Sequence, residues 1–432
     1  MYELENVLRP YAWGSKTAIA GLLGRPASGG PEAELWVGAH PDSPSVVVTA
    51  SSAAGDAAGA AAAADDGDRL ALDALIASDP VHHLGGDSVA EFGPRLPFLL
   101  KVLAAERPLS LQVHPTVEQA RAGFDREEAA GVDHAAATRN YKDDNHKPEM
   151  IFALTDFEAL CGFRPAASSR AIFQHLADCF GLVGLDLPPL IPRLLEDLAQ
   201  PDEPAALLSA FERLIAGGGE DVSTATAAVV AALVSGAPMG AHVAELTTVV
   251  NLHADYPGDP GVLISLLLNR ISLAPGEAVY LPAGNVHAYL RGLGIEVMAS
   301  SDNVLRGGLT PKFVDVPELL KTVAFEAVGV SMLPAETTML GQELFRPPFR
   351  EFALQRVELL PGAEPVPLAQ SGAAVIIVVT GAVLLDSPKG DLQLDHGASA
   401  FLPAAEAPVN VHPVAGATGP AVAFAVTTGM KA

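Results

Sequence analysis

Cysteine and positive charge are scarce in this chain, and each scarcity excludes something. Two cysteines, Cys161 and Cys179, occur in 432 residues. They offer neither a metal-binding spacing nor a disulfide framework, so both are expected as reduced, buried thiols. Twenty-six Lys and Arg stand against 51 Asp and Glu, a formal charge of −25. With no basic surplus to neutralise a phosphate backbone, a nucleic-acid partner is not expected. An anionic small substrate remains open where basic residues gather locally. Long apolar runs are missing too: the stretch nearest to a membrane span, residues 223–246, is interrupted by Ser, Gly and Pro, and no membrane partner is expected. The first ten residues, MYELENVLRP, are charged from the third onward and lack the apolar core of a secretion signal; a cytoplasmic protein is expected.

What the chain has in quantity is apolar residues, 49% of the total. At this length a single core normally splits, so two or three domains are expected. Residues 1 to about 160 alternate short strand signals (PSVVVTA, LPFLLKVLAA, LSLQVHP) with Gly, Pro and Ser. Within them, residues 50–68 form an Ala/Gly/Asp-rich stretch expected as a surface loop. Residues 166–255 change texture, with apolar residues at helical spacing in SSRAIFQHLADCF, IPRLLEDLAQ and PAALLSAFERLIAG. Strand signals return after 260.

The expected fold class is mainly β with a helical insertion. Residues 1–164 and 256–325 would form one β domain, 165–255 the helical domain, and 326–432 a second β domain. A weak repeat supports two β units. GEAVYLPAGNVH puts Pro282 six residues and His287 eleven residues after Gly276; GASAFLPAAEAP repeats the Gly397–Pro403 spacing but has Pro408 where the histidine would stand. The first stretch resembles the second sequence motif of cupins, which implies two cupin-type jelly rolls, one holding a metal and one metal-free.

In a cupin barrel further ligands come from positions two apart on one strand. PLSLQVHP offers Gln112 and His114, whose side chains share a face. Glu149 opens the strand in HKPEMIF, and His287 is the fourth donor. Two imidazoles, a carboxylate and an amide oxygen suit zinc or a similar borderline divalent ion, and one Zn2+ per chain is expected. Lone histidines such as His134, His253 and the pair His82–His83 are expected to be packing or capping residues.

Around that constellation, Lys147 lies two residues before Glu149 and should face the same cavity, where it could act as a base. In GLGIEVMASSDNVLRGGLTPKFVDV, alternation puts Glu296, Met298, Ser300 and Asp302 on one face, followed by Arg306 and Lys312. In so acidic a chain, Arg306, Lys312 and Lys147 would supply the local positive field that an anionic sugar needs.

The stretches YAWGS, AELWVGAHPDSPS, LPFLLKVL, LSLQVHP, NHKPEMIFALTDFEALCGF and YLPAGNVHAYLRGLGIEVMASSDNVLRGGLTPK together resemble the type I mannose-6-phosphate isomerase family. The resemblance runs over essentially the whole chain. It implies a zinc enzyme that interconverts mannose 6-phosphate and fructose 6-phosphate through an enediol. It also implies Gln112, His114, Glu149 and His287 as zinc ligands, Arg306 as an active-site arginine, Lys147 as the proton-transfer lysine and His146 as an aid to ring opening. Ser110, Glu296, Asp302, Lys312, Trp13 and Glu34 are expected to bind substrate, with Lys312 toward the phosphate and Glu296 or Asp302 as rivals to Lys147 for the base. Gly307 stands where alanine is common in that family. The expected partner is a small sugar phosphate and a monomer is expected, an oligomer staying open. Another metal-dependent cupin enzyme and a non-catalytic sugar-phosphate-binding cupin are the alternatives at this stage.

Overall fold

The structure, a computed structural model, describes residues 1–48, 69–216 and 219–430. The Ala/Gly/Asp-rich stretch 50–68 lies outside the described residues. The architecture is the expected one: two antiparallel β units of jelly-roll type and a helical insertion.

The first unit is built around one long strand, His287–Ala299. Its first half pairs with Gln112–Val113 and Phe157–Phe163, and its second half with Phe98–Ala105 and Glu149–Ala153. A single strand thereby reaches both walls of the barrel, with the register shifting between Tyr289 and Arg291. Phe98–Ala105 is buried along all eight residues, as a strand covered on both faces must be.

The second unit is an eight-stranded sheet facing a four-stranded one. Its apolar residues face inward, among them Val357, Ile376, Val378, Leu385, Leu402 and Val411. The N-terminal strand Tyr2–Glu5 joins this unit, with Tyr2 opposite Phe401 and Glu3 opposite Ala400. The two units share a core in which the Phe152 ring packs 5.2 Å from Phe345 and 5.1 Å from Phe424. The domain boundaries expected from composition remain our proposal, with Tyr2–Glu5 as the segment that crosses from the first unit to the second.

The helical insertion follows from periodicity. Ala166–Val183 buries Ile172, Phe173, Leu176 and Phe180 on one stripe and ends at Gly184, whose φ of 68° closes the helix in the left-handed region. Those side chains meet Ile191, Leu194, Phe211 and Leu214 from the next two helices, Leu190–Asp197 and Glu203–Ala216. Among the described residues no helix is long and apolar enough to cross a membrane.

Both cysteines are buried and free. Burial pushes the Cys161 thiol up to about 12, and burial, then Asp178, raises that of Cys179. A thiol reagent at about pH 8 should therefore label neither in the folded chain and both after denaturation. Rapid labelling under native conditions would show that the insertion opens where Cys179 is packed.

Candidate metal and substrate site

The site forms where three strand ends meet. Gln112 stands opposite His287 on the antiparallel ladder, and Arg306 stands opposite Gln112 on the other side. Glu149 opens its strand two residues after Lys147. The turn before His287 is tied to the same place. Gly284, at φ 77°, donates its N–H to the His114 carbonyl at 2.9 Å, and a Cβ there would lie 2.9 Å from that of Ala324. Only glycine satisfies both conditions.

His114 and His287 are aimed by backbone carbonyls. Nδ1 of His114 lies 2.7 Å from the Asn303 oxygen, and Nδ1 of His287 lies 3.0 Å from the Asn285 oxygen. In the neutral rings Nδ1–H donates to these carbonyls, leaving each Nε2 as a bare lone pair. Both lone pairs point at Glu149, 3.4 and 3.3 Å from its two carboxylate oxygens. Nε2 of His114 is buried without a hydrogen-bond partner. One ligand atom from each of His114, Glu149 and His287 falls within 4.8 Å of the others, and all three residues are buried. Orphaned lone pairs facing a carboxylate are what a divalent cation completes. The Gln112 amide lines the same cavity.

Charge follows the geometry. Burial pushes the His114 imidazole down to about 4 against the pull of Glu149, which keeps it neutral for ligation. Burial would raise the Glu149 carboxyl, but Lys147 and then His114 hold it well below the usual range. Nζ of Lys147 sits 3.0 Å from Oε1 of Glu149.

A second buried cation, not singled out from the sequence, faces the same cavity. Lys101 lies 2.9 Å from Glu296 and 3.9 Å from Glu34, with the Trp36 ring 5.1 Å away. Burial opposes its charge, but Glu296, Glu34 and Glu149 outweigh burial and keep the ammonium protonated. Burial, with Glu149 and Glu34, raises the Glu296 carboxyl against the pull of Lys101. The available signal was one lysine inside an otherwise apolar strand, PFLLKVLAA; a buried lysine needs a partner, and a partner implies a site.

Lys101, Glu34, Glu296, Gln112, Lys147, Glu149 and His287 thus line one cavity of about 50 Å³. A larger cavity, of about 230 Å³, lies beside His40, Asp42, Lys142, Ser300 and Asp302. The smaller one is lined by Gln112, Glu149 and His287 of the donor set. Of the face expected to carry both Glu296 and Asp302, only the first half holds. The strand ends at Ala299, and Asp302 turns to His40, 3.6 Å away, in the larger cavity.

The remaining expected residues divide. Arg306 and Lys312 make no ion pair among the described residues. Burial lowers both, and Arg306 and Lys142 also repel the Lys312 charge. Lys312, with the charges of Arg306 and Lys142 close by, is a place where an anion would be favoured. Ser110 is half-buried on the approach to Gln112, and Trp13 stacks on Tyr11 with centroids 5.8 Å apart; neither is among the cavity-lining residues. His146 reaches instead to Glu351 of the second β unit, with Nε2 to Oε1 at 2.5 Å. Asn303 was not foreseen. Its carbonyl orients His114, while its side chain accepts from the Lys142 and Asp143 amides and donates to the Asn145 carbonyl. It ties the loop before Lys147 to the metal cluster.

Comparison with known proteins agrees with this geometry. A family model described as phosphomannose isomerase type I, catalytic domain, matches residues 1–166. The mannose-6-phosphate isomerase of Escherichia coli (strain K12) is 41% identical over 415 residues, covering 95% of this chain and 97% of that protein. The Homo sapiens mannose-6-phosphate isomerase is 30% identical, with 94% of each chain covered. Among solved structures, a zinc-bound holo mannose 6-phosphate isomerase superposes with a TM-score of 0.82 at 36% identity over 99% of both chains. A glutamate-to-alanine variant of the phosphomannose isomerase from Salmonella typhimurium gives a TM-score of 0.83 at 36% identity.

Proposed function

This chain belongs to the type I phosphomannose isomerase family, and from that premise we propose how its own residues carry out the reaction. It is a zinc-dependent aldose–ketose isomerase that interconverts D-mannose 6-phosphate and D-fructose 6-phosphate through an enediol. The observation that carries the reading is the buried His114–Glu149–His287 cluster with Lys147 against it.

In this proposal Gln112, His114, Glu149 and His287 hold the ion. When bound, zinc supplies a Lewis acid and a template for the sugar oxygens. The residues do the rest. Lys147 is the base: its Nζ takes the proton from C2, the C2–H electron pair becomes the C1=C2 bond, and negative charge grows on O1. Arg306 faces that charge, because a guanidinium stays protonated and presents several donors. Transfer of the O2 proton to O1, with return of the abstracted proton to C1 as the C2=O bond forms, gives the ketose. Lys101, held charged between Glu34 and Glu296, is a fixed positive charge in the wall and not a base. Glu296 and Glu34 orient sugar hydroxyls, and Lys312 with Lys142 receives the phosphate. Ser110, Trp13, Asp302 and His146 stay as outer residues of the pocket, His146 through its pair with Glu351.

A coupled assay comparing mannose 6-phosphate with free mannose, with and without chelator, tests this reading. Turnover should be confined to the phosphorylated sugar and vanish on exhaustive chelation. Comparable turnover of free mannose would remove the anion-binding role from Lys312 and Lys142.

A further inference from the structure

The segment between Arg306 and Lys312 adopts a backbone that it would not choose unaided. Leu309 has φ 54°, the one positive value among the described non-glycine residues, and Gly308 before it has φ 121°. A branched side chain in the left-handed region is strained. What holds it there is a single carboxylate from the far side of the chain. Oδ1 of Asp259 accepts the N–H of Leu309 at 2.7 Å and that of Gly261 at 2.7 Å, and Oδ2 accepts the N–H of Thr310 at 3.3 Å. A Cβ on Gly308 would come within 2.9 Å of the same Oδ1. Among the described residues Asp259 makes no ion pair; its acceptors serve amides.

Asp259 lies where the helical insertion returns to the β unit, between the helices Val243–Asp255 and Gly261–Ile264. On the other side of the turn, Arg306 is fixed independently: it pairs with Gln112, and Gly307 donates its N–H to the Leu111 carbonyl at 2.8 Å. Lys312 has no such strand partner and follows Thr310, whose hydroxyl accepts the Lys312 amide at 3.1 Å. The distance between the two cations is therefore set by the turn that Asp259 grips.

We propose that Asp259 is a positioning residue through which the helical insertion sets Lys312 against Arg306, and so tunes recognition of the phosphate. The claim rests on the functional reading above only in taking Lys312, with Lys142, as the phosphate contact and Arg306 as the fixed group beside it. Loss of the grip lets the turn relax and moves Lys312, which touches the substrate's anionic end and not its reacting carbons. The cost falls on binding.

The test compares Asp259→Ala, Asp259→Asn and Gly308→Ala in the zinc-loaded enzyme. It measures KM and kcat for mannose 6-phosphate and, by calorimetry, the Kd of inorganic phosphate. Asp259→Ala should raise KM and the phosphate Kd together by about tenfold, with kcat changed less and zinc content unchanged. Asp259→Asn, which keeps an oxygen for the two short bonds, should restore both to within about threefold of wild type. Gly308→Ala, which pushes the turn from the other side, should reproduce the Asp259→Ala signature, so the claim stays testable if Asp259→Ala does not fold. Unchanged phosphate Kd in these folded variants overturns the proposal, as does a loss confined to thermal stability. A wild-type protein that binds phosphate but does not isomerise mannose 6-phosphate would sink the functional reading, while the phosphate Kd of the variants would still decide the role of Asp259.

Discussion

Glu149→Gln is expected to fold, to retain little zinc, and to lose turnover by at least about 10³-fold, the equivalent of several kcal/mol of charge stabilisation. The substitution keeps the shape and removes one charge. That charge faces Nε2 of His114 at 3.4 Å, Nε2 of His287 at 3.3 Å and Nζ of Lys147 at 3.0 Å, and all four residues are buried. Two separate losses follow. The cation site keeps two imidazoles and gains a second amide, a weaker set for a divalent ion. Lys147, 7% exposed, also loses the carboxylate that lies 3.0 Å from its Nζ. Zinc per chain after gel filtration, kcat and the thermal midpoint should therefore all fall. Full zinc occupancy with turnover within about tenfold of wild type would mean that Glu149 is no ligand.

Arg306→Ala should behave differently: zinc retained, KM little changed, and kcat lower by about 10²–10³-fold, the range for removing one donor to a developing oxyanion. The guanidinium is half-buried, has no carboxylate partner among the described residues, and sits across from Gln112 on the strand pair. No neighbouring charge is orphaned by its removal, so the loss reports on the reaction rather than on folding. Arg306→Lys should recover only part, because one ammonium cannot reproduce the planar fork of donors. A rise in KM with kcat intact would recast Arg306 as a phosphate clamp and move the oxyanion role to another group, with Lys101 next in line.

Much of this site was legible because strand alternation is local. Gln112 and His114 share a face two residues apart, as do Lys147 and Glu149, and no long-range information is needed to see it. The cupin spacing located His287 in the same way. The alternation argument failed once it was carried past its strand. Asp302 was grouped with Glu296, but the strand stops at Ala299 and the backbone folds back, with the Ser301 amide donating to the Ala299 carbonyl at 2.8 Å. His146 shows a second limit, since its partner Glu351 lies 205 residues away in the other β unit. The same holds for Tyr2–Glu5, which closes onto strand Ser399–Leu402 of the second unit. Lys101 carried a visible signal that went unused, whereas Asp259 carried none: an Asp in YPGDP is an ordinary turn residue until the structure brings Leu309 to it.

The claim on which the account turns is that one zinc ion per chain, held by the Gln112–His114–Glu149–His287 set, is what makes isomerisation possible. The most direct measurement strips the protein with chelator, exchanges the chelator away, and titrates zinc back while following fructose 6-phosphate formation from mannose 6-phosphate. Activity should be absent at the start, rise linearly, and break sharply at one zinc per chain. Turnover in the metal-free protein, or a break at two ions, would contradict it.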